Sequence, residues 1–173
     1  LGLSQLAKLP ANLARRREIA AMYTSAFAGI DGIVVPATRP EANPAWHLYP
    51  IRVEPRLGIK REEIFRALRA ENIGVNVHYI PVHLHPYYRD RFGYRGGEFP
   101  VAESAFESLI SLPMFHGMTN VDVVDVIRAT TTLCALFEHG CRRVLVARDI
   151  ASARVARAQS YATALLAGEV SGA

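Results

Sequence analysis

The sequence predicts an α/β protein. Three observations predict it. Leucines recur at helical spacing near the start, short alternating apolar segments bounded by proline and glycine follow, and a strand–helix–strand–helix succession closes the chain. No segment repeats another.

The elements follow in order. Leu3, Leu6, Leu9 and Leu13 share one helical face, which continues through Ile19, Met22 and Tyr23 to Phe27 and stops at Gly29. Pro10 stands where it would kink that helix or start a second one. Residues 33–35 form a short strand before Pro36. In "HLYPIRV", Tyr49, Ile51 and Val53 share one face and Arg52 points away. Pro50 predicts an edge strand or a bulge there. Residues 60–72 form a helix with Glu62 and Glu63 in its first turn and Gly74 as its cap. Val75 and Val77 begin another strand, and residues 101–110 a further short helix.

After Met118 the texture changes. In "VDVVDVI", residues 121–127, four positions are valine and one is isoleucine, a composition that predicts a strand. "RATTTLCALFEHG" is a helix ending at Gly140, "RRVLVA" a second strand, and Asp149 caps a helix running to about Leu166. The expected unit is a parallel βαβ with residues 121–127 beside 143–147.

Half of the 173 residues are apolar, a globular mixture. The net charge is +4, of which +3 falls in residues 1–118, and no polybasic patch stands out. The densest basic run, "ARRRE" at 14–18, reads as a solvated helix face, so a nucleic-acid partner is not expected. The two cysteines, Cys134 and Cys141, are too few for a disulfide framework or an all-cysteine zinc site, and read as reduced packing residues of a cytoplasmic protein. No run of eighteen apolar residues predicts a membrane span. "LGLSQLAKL" reads as the middle of a helix, as in a piece of a longer protein.

"VNVHYIPVHLHPYYRDRFGY", residues 75–94, holds three of the six histidines and four of the seven tyrosines. It admits three readings: a metal site, a polar-aromatic ligand pocket, or a proline-stiffened packed loop. The metal reading is disfavoured, because Pro81 and Pro86 flank His83 and His85 and no carboxylate lies near until Asp90. The pocket reading fits His78 and Tyr79 at a strand end, since imidazole and phenol hydrogen-bond sugar hydroxyls and stack on flat groups. Packing is the preferred reading for His85, Tyr87 and Tyr88.

"LGLSQLAKLPANLARRREIAAMY", "WHLYPIRV", "IFRALRAENIGVNVHYIPVHLHPYYRDRFGY", "FPVAESAFESLISLPMF" and "GMT" resemble the C-terminal domain of nucleotide-sugar aminotransferases of the DegT/DnrJ/StrS type, over residues 1–119. The resemblance implies the small α+β C-terminal domain of a fold-type I aminotransferase, truncated at its N-terminal side. It also implies pyridoxal phosphate as cofactor, a homodimer for the complete enzyme, and amino transfer to a UDP-linked 4-keto-hexose for surface glycan synthesis. It places His78 by the nucleotide-sugar pocket, with Tyr79 and His83 as weaker candidates. A transaminase needs a Schiff-base lysine. The two lysines, Lys8 and Lys60, both read as solvated helix residues, and neither matches the family's position. The chain alone is therefore expected not to transaminate.

"VVDVIRATTTLCALFEHGCRRVLVA" and "ALLAGEVSGA", within residues 121–173, resemble the N-terminal part of magnesium-dependent 2-phosphosulfolactate phosphatases, truncated at its C-terminal side. That resemblance implies Asp125 as a Mg²⁺ ligand and Arg128, Thr130 and Thr131 as phosphate-binding groups. A carboxylate, a guanidinium fork and a helix start with Thr130, Thr131 and Thr132 are suited to that chemistry. A threonine N-cap beside an exposed arginine fits the same residues. The two resemblances overlap at "TNVDVVDVIRA", a helix in the first family and a strand in the second. The leading expectation is an aminotransferase domain followed by a partial βαβ segment. The alternatives are Mg²⁺-dependent phosphate ester hydrolysis and a non-catalytic substrate-binding or dimerising module.

Overall fold

The computed structural model describes residues 2–141, 144, 147 and 150–160. The chain falls into two compact units, Leu1–Arg142 and Arg143–Ala173. The first is mixed α/β. It runs α1 (Gly2–Phe27), β1 (Ile33–Val34), β2 (Tyr49–Val53), α2 (Arg61–Ala70), α3 (Pro86–Phe92), α4 (Pro100–Ser108), β3 (Leu109–Leu112) and α5 (Asn120–Glu138), with 3₁₀ turns at Pro55–Leu57 and Val82–Leu84. In the second unit the described element is α6 (Ile150–Ser160). The expected cap Asp149 and the end of that helix lie outside the described residues.

Helix α1 is continuous through Pro10, with neither a break nor a second start. Its two halves have different fates. Ile19, Ala20, Tyr23 and Phe27 are buried, whereas Leu3, Leu6 and Leu9 are exposed. The run "ARRRE" is not wholly solvated. The Arg15 guanidinium donates to the Met118 carbonyl (2.8 and 3.2 Å) and to Asn120 Oδ1 (2.9 Å), and Arg16 donates to the Trp46 carbonyl (3.0 Å). Arg15 thereby joins α1 to the start of α5.

The sheet is antiparallel, in the order β1-β2-β3. Tyr49 pairs with Leu112 and Ile51 with Ile110, which puts Tyr49, Ile51, Val53, Ile110 and Leu112 on one buried face. Arg52 stands on the other, as the alternation predicts. Pro50 lies in the central strand, not at an edge as expected. The reason is local. Its partner Ser111 uses both backbone groups on Asn76 across the opposite flank of β3 (2.8 and 3.0 Å), so the Pro50–Ser111 pair is not a hydrogen-bonded one. The proline nitrogen faces the flank that the two-residue β1 does not reach. Gly32, at φ +76°, precedes β1. A Cβ there would collide with the Leu57 side chain, so the approach requires glycine.

Helix α2 ends differently from expectation. Asn72 takes the left-handed conformation (φ 60°), so Gly74 is not the cap. The expected strand at residues 75–77 shrinks to a single antiparallel bridge, Asn76 to Ser111. Residues expected as one helix over 101–110 divide into α4 and β3, because Ile110 and Leu112 complete the buried sheet face.

The largest departure is α5. Residues 121–127 are helical, not a strand, and the partner strand expected over 143–147 falls largely outside the described residues. Capping outweighs the β-branched content. Thr119 Oγ1 accepts from the Asp122 amide (3.2 Å) while the Asp122 carboxylate accepts from the Thr119 amide (2.7 Å), a reciprocal box that starts the helix. Val123, Val126, Thr130, Leu133, Cys134 and Phe137 then line one buried stripe, while Val121 and Val124 are exposed. Tertiary burial of that stripe decides the conformation where intrinsic propensity would not.

Candidate functional site

The site lies where the chain leaves the Asn76–Ser111 bridge. Asn76 and His78 are two residues apart and so project from the same side of the extended backbone as Ser111, opposite the buried sheet face. His78 is half-buried, and its Nε2 lies 3.2 Å from Ser111 Oγ. Tyr79, the next residue, is 93% exposed. Val77, Ile80, Val82, Tyr87 and Phe92, from the same stretch of chain, are exposed as well.

His83 is placed differently. It is 8% exposed, and its Nε2 lies 2.8 Å from Glu103 Oε1. Its ring packs against Phe99 (centroids 4.6 Å apart) and Tyr94 (6.0 Å). His83 also lines a surface cavity of about 460 Å³ with Pro81, Tyr88, Phe92, Tyr94 and Phe99. Glu103 is an acceptor hub. It takes the Gly97 amide (2.8 Å) and the Phe99 amide (3.3 Å) as well as the imidazole, and these contacts, Gly97 first, hold its carboxyl below the usual range. Glu98 accepts the Arg95 and Gly96 amides (both 2.8 Å) and is lowered for the same reason. Among the described residues, His83, Glu98 and Glu103 form the group whose ligating atoms come within 4.8 Å of one another. The carboxylate oxygens there already serve backbone donors, so the arrangement is a loop anchor first. His85 is a packing residue, its Nε2–H donating to the Ile80 carbonyl (3.1 Å). Tyr87 and Tyr88 meet edge to face.

Sequence reasoning missed Ser111 and Glu103. The signal for Ser111 was a lone polar residue inside "LISL", masked by the helix expected over 101–110. The signal for Glu103 was the "GGEFP" turn, whose two glycines expose amides that a nearby carboxylate can accept.

Residues 1–131 match the model of the DegT/DnrJ/EryC1/StrS aminotransferase family. The chain belongs to that family. The spore coat polysaccharide biosynthesis protein SpsC of Bacillus subtilis is 45% identical over 131 residues, 75% of this chain and 34% of its own length. An uncharacterised protein of Methanocaldococcus jannaschii is 44% identical over 130 residues, with the same shares. Among solved structures, the putative sugar aminotransferase Spr1654 of Streptococcus pneumoniae in its PLP form superposes with a TM-score of 0.70 at 34% identity, covering 79% of this chain and 34% of that one. DesV of S. venezuelae, in complex with a ketimine intermediate, gives 0.68 at 34% identity, covering 81% and 34%. The chain thus spans about a third of the length of the curated relatives it matches. No helix among the described residues is long and apolar enough to cross a membrane.

The family members solved with PLP and PMP make pyridoxal phosphate the family's cofactor. The residues of this chain do not fit it. Lys8 is exposed on α1, and Lys60 is exposed at the N-cap of α2, where its backbone amide serves Glu63 (3.2 Å). Neither lysine lines the cavity beside His83 or the one between α1 and His47. No step through the cofactor follows from the residues present.

A second match, to 2-phosphosulpholactate phosphatase, covers residues 113–173 and overlaps the first. The anion site expected there is not formed, because the helix starts at Asn120 and not at Thr130. Thr130 is buried and donates its hydroxyl to the Val126 carbonyl (2.8 Å); Thr131 donates to the Arg128 carbonyl (3.1 Å). Asp125 is exposed, lies 3.8 Å from Arg128, and belongs to no group of three or more ligating side chains among the described residues. A hard divalent cation needs more oxygen ligands than that. The expected Mg²⁺ role of Asp125 and the anion roles of Arg128, Thr130 and Thr131 therefore lack their geometry.

Proposed function

We propose that this chain is the sugar-nucleotide-facing part of an aminotransferase that moves an amino group to a UDP-linked 4-keto-hexose for surface glycan synthesis. The observation that carries this reading is the placement of His78. The imidazole stands half-buried at the end of the Asn76 bridge, braced by Ser111, beside a fully presented Tyr79 ring. An imidazole held through Nε2 keeps its second nitrogen for a hydroxyl or phosphate oxygen, and an exposed phenol is suited to a flat base or a sugar face. His83, in the lining of the neighbouring cavity, is a further contact in this reading. Sugar aminotransferase relatives and the polysaccharide role in the name of SpsC agree with the substrate class.

In this reading the pocket's other wall belongs to the two-thirds of the relatives' length that this chain does not span, the working enzyme is a cytoplasmic homodimer, and the chain alone does not transaminate. Residues 1–119 and 121–173 remain two segments of different ancestry, with α5 packed into the first. The test is a chimera joining the N-terminal two-thirds of SpsC to this chain. Amination of a UDP-4-keto-hexose is expected, with His78→Ala weakening UDP-sugar binding about tenfold, or about 1.4 kcal/mol. A folded, cofactor-loaded chimera whose affinity ignores His78→Ala would refute it.

A further inference from the structure

We infer that Ser111 is a positioning residue that fixes His78 with its proton on Nδ1, so that His78 offers a hydrogen-bond donor to an acceptor oxygen of the ligand. The inference rests on the reading of His78 as a ligand contact and adds which hydrogen-bonding role it plays.

The argument starts from the hydroxyl. Ser111 is 5% exposed, and its Oγ has one partner among the described residues, His78 Nε2 at 3.2 Å. The backbone of Ser111 cannot relieve that hydroxyl, since its amide and carbonyl are both engaged with Asn76. A neutral imidazole carries one proton, on either nitrogen. With the proton on Nε2, Ser111 Oγ would accept, and its own hydrogen would be buried without an acceptor, an arrangement that folded proteins avoid. With the proton on Nδ1, the Ser111 hydroxyl donates to Nε2 and every buried hydrogen is satisfied. Flipping the ring would set a carbon against the hydroxyl and lose the bond altogether. When the imidazole is protonated, Nε2–H donates to Ser111 Oγ and Nδ1 still carries a hydrogen. Nδ1 is thus a donor in both charge states. Nδ1 has no partner among the described residues, which leaves it available to a phosphate, carbonyl or hydroxyl oxygen. The serine also explains why the preceding residues are tied down: the double Asn76–Ser111 bond and the side-chain bond hold residues 76–78 against one residue of β3.

The tautomer can be read on the chain itself. Long-range ¹H–¹⁵N spectra of the labelled full chain, with His78 assigned by its loss in His78→Gln, are expected to show His78 protonated at Nδ1 with Nε2 bare. Ser111→Ala should move it toward the Nε2–H form, and Ser111→Thr, which keeps the hydroxyl, should keep the Nδ1–H form and guards against a mere folding defect. A native His78 in the Nε2–H form, or a tautomer unchanged by Ser111→Ala, overturns the inference. In the SpsC chimera, Ser111→Ala should raise the KM for the UDP-sugar several-fold at unchanged kcat, with Ser111→Thr restoring it and with no further loss on a His78→Ala background. If the tautomer responds as expected while His78→Ala leaves affinity untouched, the pocket reading fails and the donor role toward a ligand falls with it. If His78→Ala weakens binding but the tautomer ignores Ser111, the pocket reading stands and the role of Ser111 is wrong.

Discussion

Truncating the valines of α5 one at a time distinguishes a helix from a strand without a new structure. In a strand, Val121 and Val123 share a face and Val126 lies on the other; in α5, Val123 and Val126 share the buried stripe and Val121 is 69% exposed. Val→Ala removes the equivalent of two methylenes. At about 0.8 kcal/mol each, Val123→Ala or Val126→Ala loses about 1.6 kcal/mol of transfer free energy, and an unfilled cavity adds to it. The better helix propensity of alanine offsets about 0.5 kcal/mol. With about 1 kcal/mol for the cavity, the net cost is about 2 kcal/mol for each. Val121→Ala loses almost no burial and gains the propensity, so it should be neutral or slightly stabilising. Urea unfolding followed by circular dichroism reads the difference. With a slope of about 2 kcal/mol per molar, the midpoint should fall by about 1 M for the two buried positions and stay level or rise for Val121. A large loss at Val121 with a neutral Val126 would mean that the strand wins this segment, and the packing argument for α5 would be wrong.

Three further outcomes are expected. Purified chain mixed with pyridoxal phosphate should show no lysine-linked absorbance or turnover, because Lys8 and Lys60 are exposed and uncradled; a borohydride-trapped adduct on either, together with turnover, would contradict this. The Asp122 carboxyl is held low by the Thr119 amide and hydroxyl, so its contribution to stability is present above the ordinary carboxylate range and is lost as pH falls through the lowered value. Acid titration of the unfolding midpoint should therefore be shallower below about pH 4 for Asp122→Asn, and an unchanged slope would remove the capping box from the account. Burial pushes the Cys134 thiol up to about 11, so a thiol-specific chromophore should modify it only as the chain unfolds; rapid labelling of Cys134 in the folded chain would show that α5 opens locally.

Most of the first unit was legible because local signals and tertiary packing agree there. The alternation of Tyr49, Ile51 and Val53 fixed a half-buried strand, and the spacing of Ile64 and Leu68 with acidic residues in the first turn fixed α2. Misreadings arose where a long-range partner decides. Pro50 is tolerated in the central strand only because Ser111 turns its backbone bonds to Asn76, a fact no window of sequence contains. Residues 121–127 carry valines suited to either conformation, and the helix is chosen by Thr119, Asp122 and the surfaces of α1 and α2. His78 was legible as a strand-end residue; Ser111 behind it was not, because the bond joins residues 33 positions apart.

The two family matches share residues 113–131, most of them in the first half of α5. That sharing asks one helix to satisfy two family patterns at single atoms. The Thr130 hydroxyl is bonded to the Val126 carbonyl inside a buried stripe, so it cannot also be turned toward an anion, and a substitution that freed it would open the interior that α1 and α2 close. A helix that carries both patterns keeps the second only at positions whose side chains the packing against α1 and α2 leaves free.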